Sequence, residues 1–314
     1  RMIDGGRDSP ATVRTLRACP VCREPRRVEV GRKADLVLMR CVACGMTYLD
    51  PAVSRLADDR YYDAGGRTFY LNAGKVLSDY SPVRFERELR CVRRHVPAGR
   101  VLDVGCSTGG FLHQLKTRFP GQYQTVGTDI SSEPVRHAVS QGVDARCGDF
   151  LAMDPRELGR FAAVTFWAVL EHLLDPGAFL RHAASLLEPE GRCFVLVPNH
   201  RSLAVRLLGT KYRYVLLEHV NHFNADTLRT LCGKAFEVVE AGSTHFNPAV
   251  LWQDATGRGR AVTPEDRIAL LQQTTAMKQS RRLAPLRPLY RGVEALLGRF
   301  QLADNLLFVL RPSR

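Results

Sequence analysis

From about residue 99 onward the chain alternates short apolar runs with longer stretches of helical spacing. Val101 to Val104 reads as a buried parallel strand, apolar without the period-two alternation of a strand that faces water on one side. Thr125 to Ile130, Phe161 to Trp167, Arg192 to Pro198 and Phe236 to Ala241 read as further strands, and Asn305 to Arg311 as a last one that closes the sheet antiparallel. Between them Phe111 to Arg118, a segment beginning near Ser131-Ser132, and Thr227 to Lys234 behind Asp226 as its cap read as helices. Arg84 to His95, after Pro82, reads as a helix leading into this core, and Pro264 to Phe300 as an Arg-rich helical excursion. Strand–helix alternation of this kind predicts an α/β domain.

The N-terminal region follows another pattern. Cys19-Pro-Val-Cys22 and Cys41-Val-Ala-Cys44 are two tight pairs at zinc-ribbon spacing, with Gly45 suited to a tight knuckle after the second. Val28 to Val30 and Leu36 to Met39 are strand-like, and Gly31-Arg32 is the expected turn between them. A segment this small buries too little to fold alone, so a metal ion is expected to supply much of its folding energy. Four cysteines leave no open coordination position, which predicts structural Zn2+ at Cys19, Cys22, Cys41 and Cys44. The other five of the nine cysteines are scattered, which argues against a secreted disulfide framework.

Size and charge narrow the picture further. A chain of 314 residues holds one α/β domain and a smaller appendage. The expected division is a zinc-ribbon segment at 1–50, an aromatic linker or lid with the leading helix at 51–98, and a core at 99–314 with a helical insertion at about 245–300. No run is apolar enough to span a membrane, and the polar N-terminus lacks the apolar centre of a signal peptide, so a cytoplasmic location is the default expectation. The formal net charge of +13 favours an anionic partner, or else simply reflects an arginine-rich composition.

The informative motif is Val101-Leu-Asp-Val-Gly-Cys-Ser-Thr-Gly109. A strand, a glycine turn and a helix bring backbone close to a ligand, but Asp103 at the strand end would repel a dinucleotide's pyrophosphate and suits an ammonium group instead. The stretch resembles motif I of class I S-adenosylmethionine-dependent methyltransferases. Thr125 to Ile130, ending in Asp129, Ala145 to Phe150, Phe161 to Trp167, and Leu186 to Gly191 with the strand after it resemble that family's later motifs, in order. The resemblance implies a Rossmann-like fold, with a seven-stranded, mostly parallel sheet covered by helices on both faces. It also implies an S-adenosylmethionine site at Asp103, Gly105, Ser107, Gly109, Asp129, Ile130, Asp149, Phe150 and Trp167. In it, Asp129 would take the ribose hydroxyls, Asp149 the adenine amino group, and Phe150 would line the ring pocket. Read without the family, Asp129 caps a helix and Trp167 is core.

On the acceptor side, Glu218-His-Val-Asn-His-Phe223 resembles a segment of bacterial glycan and natural-product methyltransferases, including zinc-containing deoxysugar C-methyltransferases in which the histidine sits at the reacting centre. The likeness covers about residues 18 to 240. Leu216 stands where those enzymes have a tyrosine, and their second Rossmann-like domain is missing. His219 is the first candidate general base and His172, in Glu171-His172, the second, since an imidazole suits proton removal at neutral pH. The expected acceptor is a small molecule, anionic or glycosylated, methylated at oxygen or carbon. An RNA methyltransferase and a non-catalytic zinc-ribbon interaction protein are the alternatives; nucleic acid is disfavoured because the zinc segment lacks dense basic–aromatic interleaving. The aromatic stretch Tyr48 to Tyr80 is either a lid over the cofactor or a packed linker. The Arg-rich excursion is a pocket cap, a homodimer contact or a peripheral membrane contact.

Overall fold

The computed structural model describes residues 14–53, 69–257, 263–282 and 284–313. Its centre is a seven-stranded sheet built from β6 (Gly99–Val104), β7 (Tyr123–Asp129), β8 (Ala145–Cys147), β9 (Phe161–Trp167), β10 (Leu187–Pro198), β12 (Phe236–Thr244) and β13 (Asn305–Pro312), in the order β12-β13-β10-β9-β6-β7-β8. Strands β8, β7, β6, β9 and β10 are parallel to their neighbours, and β13 runs antiparallel between β10 and β12, the closure expected from the sequence.

Neighbouring residues on each central strand point to opposite faces, and both faces are covered. Leu102, Val164 and Val195 pack with helix Pro176–Leu186 and helix Ala225–Cys232 on one side. Val101, Ala163 and Phe194 pack with helix Glu86–His95 and helix Gly110–Arg118 on the other. Double-sided burial is why these strands read as unbroken apolar runs.

A second sheet of four strands lies at the N-terminal end: β2 (Arg27–Lys33), β3 (Leu36–Cys41), β4 (Thr47–Leu49) and, from far along the chain, β11 (Asn221–His222), in the order β11-β4-β3-β2. A short pair, β1 (Arg14–Thr15) with β5 (Ala52–Val53), flanks it. The ribbon is therefore stitched to residue 222 by backbone pairing, with Asn221 opposite Tyr48 and His222 opposite Thr47.

Three local expectations need correction. The hairpin turns at Ala34-Asp35, because Lys33 pairs with Leu36; Gly31 falls instead where the register shifts after Glu29. The helix expected behind Asp226 begins at Ala225 and is capped by Asn224, whose side chain accepts from the Asp226 and Thr227 amides while Thr227 reaches back, a reciprocal box that the Asp at 226 does not form. The Arg-rich excursion is two helices, Pro264–Gln279 and Arg287–Arg299, parted by a break at Ser280. Of the aromatic stretch, Tyr61-Tyr62 and Gly65-Gly66 lie outside the described residues.

Candidate active site

The turn after β6 is built on left-handed backbone. Gly105 has φ +75° and Gly109 φ +78°, and a Cβ on Gly105 would come within 2.6 Å of Val169 Cγ2, so glycine is required there on both counts. Ser107, at φ +50°, takes the same conformation without being glycine. Asp129 at the end of β7 holds the turn: one carboxylate oxygen accepts the Ser107 amide at 2.8 Å and the other the Ser131 amide at 2.9 Å. Asp129 thus ties the turn after β6 to the start of helix Ser132–Ser140.

Asp103 is buried on β6 and accepts the Thr165 hydroxyl at 2.6 Å; burial raises its pKa to about 7 against the pull of that bond. Ile130 is half-buried, and its carbonyl accepts the Cys147 thiol. Asp149 is exposed and caps the turn Phe150–Ala152. Phe150 is turned into the core against Phe166, Phe179 and His182, so of this pair Asp149 is the member open to a ligand. Trp167 lies against Phe111 and Phe194. Its Nε1 and the Ser107 hydroxyl are buried without hydrogen-bond partners among the described residues. Trp167 is the last residue of β9 and Ser107 lies just past β6, at the C-terminal edge of the parallel strands where open α/β sheets bind ligands, and such orphaned groups fit a polar cofactor.

The turn is covered by helix Ala73–Asp79 and the residues after it. The Tyr80 hydroxyl donates to the Thr108 carbonyl at 2.5 Å, and Gln114 Nε2 donates to the carbonyls of Asp79 and Ser81. Helix Pro264–Gln279 of the excursion packs on that covering helix, with Gln279 bonded to Ser81.

His172 and His219, 47 residues apart in sequence, meet edge to face with ring centroids 4.8 Å apart. Together with Glu171 they bring one polar side-chain atom each within 4.8 Å of one another. The ring nitrogen Nδ1 of His219 lies 3.0 Å from the Tyr214 carbonyl, which only accepts, so Nδ1 carries the proton and Nε2 keeps its lone pair. Tyr214 also stacks on that imidazole. Burial drives His219 well below the usual histidine pKa and His172 down to about 4, so both are neutral at pH 7. Glu171, 1% exposed with neither oxygen partnered to another residue among the described residues, is pushed up to about 8 by burial against the pull of its own backbone amide. His222 does not join this cluster; it faces His200 at 5.1 Å.

Two further residues assemble the cluster and carry no local sequence signal. Asn221, 2% exposed, donates its amide to the carbonyls of Leu170 and Leu173 at 2.8 and 2.7 Å, which clamps the Glu171-His172 turn to the His219 segment. Its oxygen accepts from Arg17 at 2.5 Å, two residues before the first cysteine and 204 before Asn221.

The four N-terminal cysteines converge, with sulfur separations of 3.5 Å for Cys19–Cys44 and 3.4 Å for Cys22–Cys41. These are far beyond a disulfide bond and near the ~3.8 Å edge of a tetrahedron with 2.3 Å metal–sulfur bonds. Each knuckle places a left-handed residue directly after its second cysteine: Gly45 at φ +73° and, unannounced by the sequence, Arg23 at φ +67°. Arg23 also pairs with Asp175, the cap of helix Pro176–Leu186, and so fastens the knuckle to the core.

A seven-stranded sheet of this order, with a glycine turn pinned by an acid at the end of the next strand, defines the Rossmann-like methyltransferase class. The chain belongs to the methyltransferase-domain family, which matches residues 79–241, and it is an S-adenosylmethionine-dependent methyltransferase. It is 34% identical over 180 residues to a ubiquinone biosynthesis O-methyltransferase of Xanthomonas axonopodis pv. citri (strain 306), a match spanning 54% of this chain and 70% of that protein. A ubiquinone biosynthesis O-methyltransferase of Xanthomonas euvesicatoria pv. vesicatoria (strain 85-10) is 32% identical over 179 residues, with the same shares. Among solved structures, the plantazolicin methyltransferase BpumL in complex with SAH is alike in fold, with a TM-score of 0.50, 15% identity, and coverage of 82% of this chain and 94% of that one. The cysteine ribbon lies outside the family match.

Replacing Asp129 with alanine is expected to weaken S-adenosylmethionine binding about 10- to 100-fold, because it removes the acceptor for two loop amides together with the proposed ribose contact. Titration calorimetry checks this, and an affinity within twofold of wild type would remove Asp129 from the site.

Proposed function

We propose that the enzyme methylates a hydroxyl oxygen or an activated carbon of a small acceptor, a sugar, glycan precursor or natural-product scaffold, with His219 as general base. The observation that carries this reading is the buried cluster of Glu171, His172 and His219, whose unprotonated His219 Nε2 is free to accept a proton. The relatives' names, O-methyltransferases acting in ubiquinone biosynthesis, support oxygen as the acceptor atom. Bound S-adenosylmethionine would supply an electrophilic methyl group, held by Asp103, Asp129, Asp149 and the turn from Gly105 to Gly109 with Ser107, Ile130 and Trp167 around it, while Phe150 packs in the core behind Asp149. This chain's residues would do the rest: orient the acceptor in line, exclude water with the covering helices, and take the acceptor's proton. Arg267, whose guanidinium lies 4.3 Å over the Phe69 ring, contributes positive charge felt at both histidines and supports an anionic acceptor. Structural Zn2+ on Cys19, Cys22, Cys41 and Cys44 would hold the ribbon against the acceptor side.

The test is S-adenosylhomocysteine formation with hydroxyl-bearing small molecules and with bulk RNA as separate acceptors. Turnover on RNA alone sinks the small-molecule reading, and no turnover by a protein that binds the cofactor on any acceptor favours the non-catalytic one.

Glu171 gives a second test. Its folded pKa, raised from about 4.5 to about 8, means that its stabilising effect is complete below pH 4.5 and is lost as pH rises through 8. Above pH 8 the ionised carboxylate would also favour protonated His219, so kcat/KM is expected to rise across that pH. Glu171→Gln is expected to be a few kcal/mol more stable than wild type above pH 8 and to lose that rise in rate. Melting temperature and pH–rate profiles measure both. An unchanged profile in the variant would separate Glu171 from proton transfer.

A further inference from the structure

Helix Pro264–Gln279, which packs on the helix covering the glycine turn, carries Arg267 near its start. The Arg267 guanidinium lies 4.3 Å over the Phe69 ring, and Lys75 Nζ lies 5.6 Å from the same ring and 5.3 Å from that of Tyr70. An arginine laid on an aromatic ring is by itself ordinary. Here two cations share one ring, and only one of them is answered. Lys75 is buried and ion-paired with Asp79, on the oxygen that also accepts the Thr108 hydroxyl. Arg84 approaches the other Asp79 oxygen at 3.5 Å, and its Nε is buried without a hydrogen-bond partner among the described residues. Arg267 is half-buried and makes no ion pair or hydrogen bond among the described residues.

The same charge bears on the histidine cluster. Burial above all, with the charge of Arg267 added, lowers His172 and His219. Tyr214, which stacks on His219, is raised by burial and pulled the other way by Arg267, Arg213 and Arg84. Charges act this strongly only at short range, so Arg267 stands within electrostatic reach of both the covering helix and the histidines. Lys75 and Arg84 already have Asp79, which leaves Arg267 as the cation open to a ligand.

We propose that Arg267 is the specificity residue of the acceptor site, pairing with a phosphate or carboxylate group of the small molecule and so fixing which of its atoms meets the methyl donor. This rests on the reading of the histidine cluster as the acceptor side. A guanidinium offers five donors in one plane, and lying over Phe69 leaves its edge free to meet two oxygens of a single anion. A neutral acceptor would leave that edge unpaired in a half-buried place, a cost that an oxyanion removes. Lysine would supply the charge without the fork.

The full chain, saturated with S-adenosylhomocysteine, is titrated calorimetrically with inorganic phosphate and, separately, with benzoate, at matched ionic strength in chloride. Saturable binding of at least one probe is expected, and the tighter one distinguishes a phosphate from a carboxylate as the recognised group. Arg267→Gln is expected to weaken it at least tenfold and Arg267→Lys about threefold, while Arg299→Gln, exposed at the end of the outer helix, leaves it unchanged. The probe is also expected to move the imidazole NMR signals of His172 and His219 and not that of His182, which packs on Phe150. That measurement on the unaltered protein decides should Arg267→Gln lower the melting temperature. Equal probe affinity in Arg267→Gln overturns the proposal, as does an equal loss in Arg299→Gln, no saturable binding of either probe, or signal shifts confined to histidines outside the cluster. His219→Gln is expected to lower turnover and keep probe binding. If it keeps full turnover while Arg267→Gln still loses the probe, the base is misassigned and the anion site stands.

Discussion

Replacing His219 with glutamine is expected to lower kcat/KM by about 10²- to 10⁴-fold while cofactor affinity stays within twofold, the range a positioned general base contributes. Glutamine keeps much of the imidazole's bulk and a donor for the Tyr214 carbonyl, so the loss reports the missing lone pair of Nε2 and leaves packing nearly intact. His172→Gln is the control. It meets the His219 ring edge to face, bonds to the Glu218 backbone and leaves its Nδ1 without a hydrogen-bond partner among the described residues, so the same change there asks which of the two imidazoles takes the proton. The depressed pKa of His219 has a kinetic consequence as well. Burial lowers it well below the usual histidine value, so any loss of activity through protonation of this group is expected at a lower pH than for an ordinary histidine. If His219→Gln retains activity within threefold and His172→Gln does not, the roles are exchanged. If both retain it, the acceptor needs no base from this cluster.

Removal of the zinc proposed for the ribbon, by chelation or by Cys41→Ser, is expected to abolish turnover although the four ribbon cysteines lie outside the histidine cluster. A four-thiolate zinc site of this kind contributes on the order of 10 kcal/mol or more to folding its segment. Here that segment is one side of the histidine cluster's frame. Strand β4 pairs with β11, the Leu49 amide donates to the Val220 carbonyl, and Arg17 holds Asn221, which in turn clamps the Glu171-His172 turn. With the ribbon unfolded, Asn221 loses a partner and the His219 segment loses its strand. The glycine turn and Asp129 are anchored within the larger sheet, so cofactor binding is expected to survive. Metal content by emission spectrometry, cofactor titration and turnover on the same sample separate these effects. Full activity after metal loss would show that the ribbon does not support the site.

Much of the turn after β6, where the cofactor is proposed to bind, was legible in the sequence because its signals are local. Asp103, the glycines at 105 and 109 and the acid ending the next strand lie within 27 residues, and strand–turn–helix geometry brings them together wherever the segment folds. The cysteine pairs were legible for the same reason, since each knuckle is a four-residue motif. Errors arose where two local solutions compete. Glycine at 31 suggested a turn that the register places at Ala34-Asp35, and Asp226 suggested a cap that Asn224 supplies with help from Thr227.

The sequence by itself thus determined the α/β class, the glycine turn after the first core strand, the four-cysteine set and two separate histidines worth attention. It left the histidines unrelated, because nothing within a few residues of His172 or His219 specifies the other. Tertiary structure alone decided that they meet in one cluster, through a strand pair joining residue 47 to residue 222 and an asparagine that gathers three segments. It also decided their chemistry. Burial away from water, with the charge of Arg267 acting on both histidines, holds the imidazoles neutral and Glu171 protonated at pH 7, a property of surroundings that are assembled only when distant parts of the chain meet.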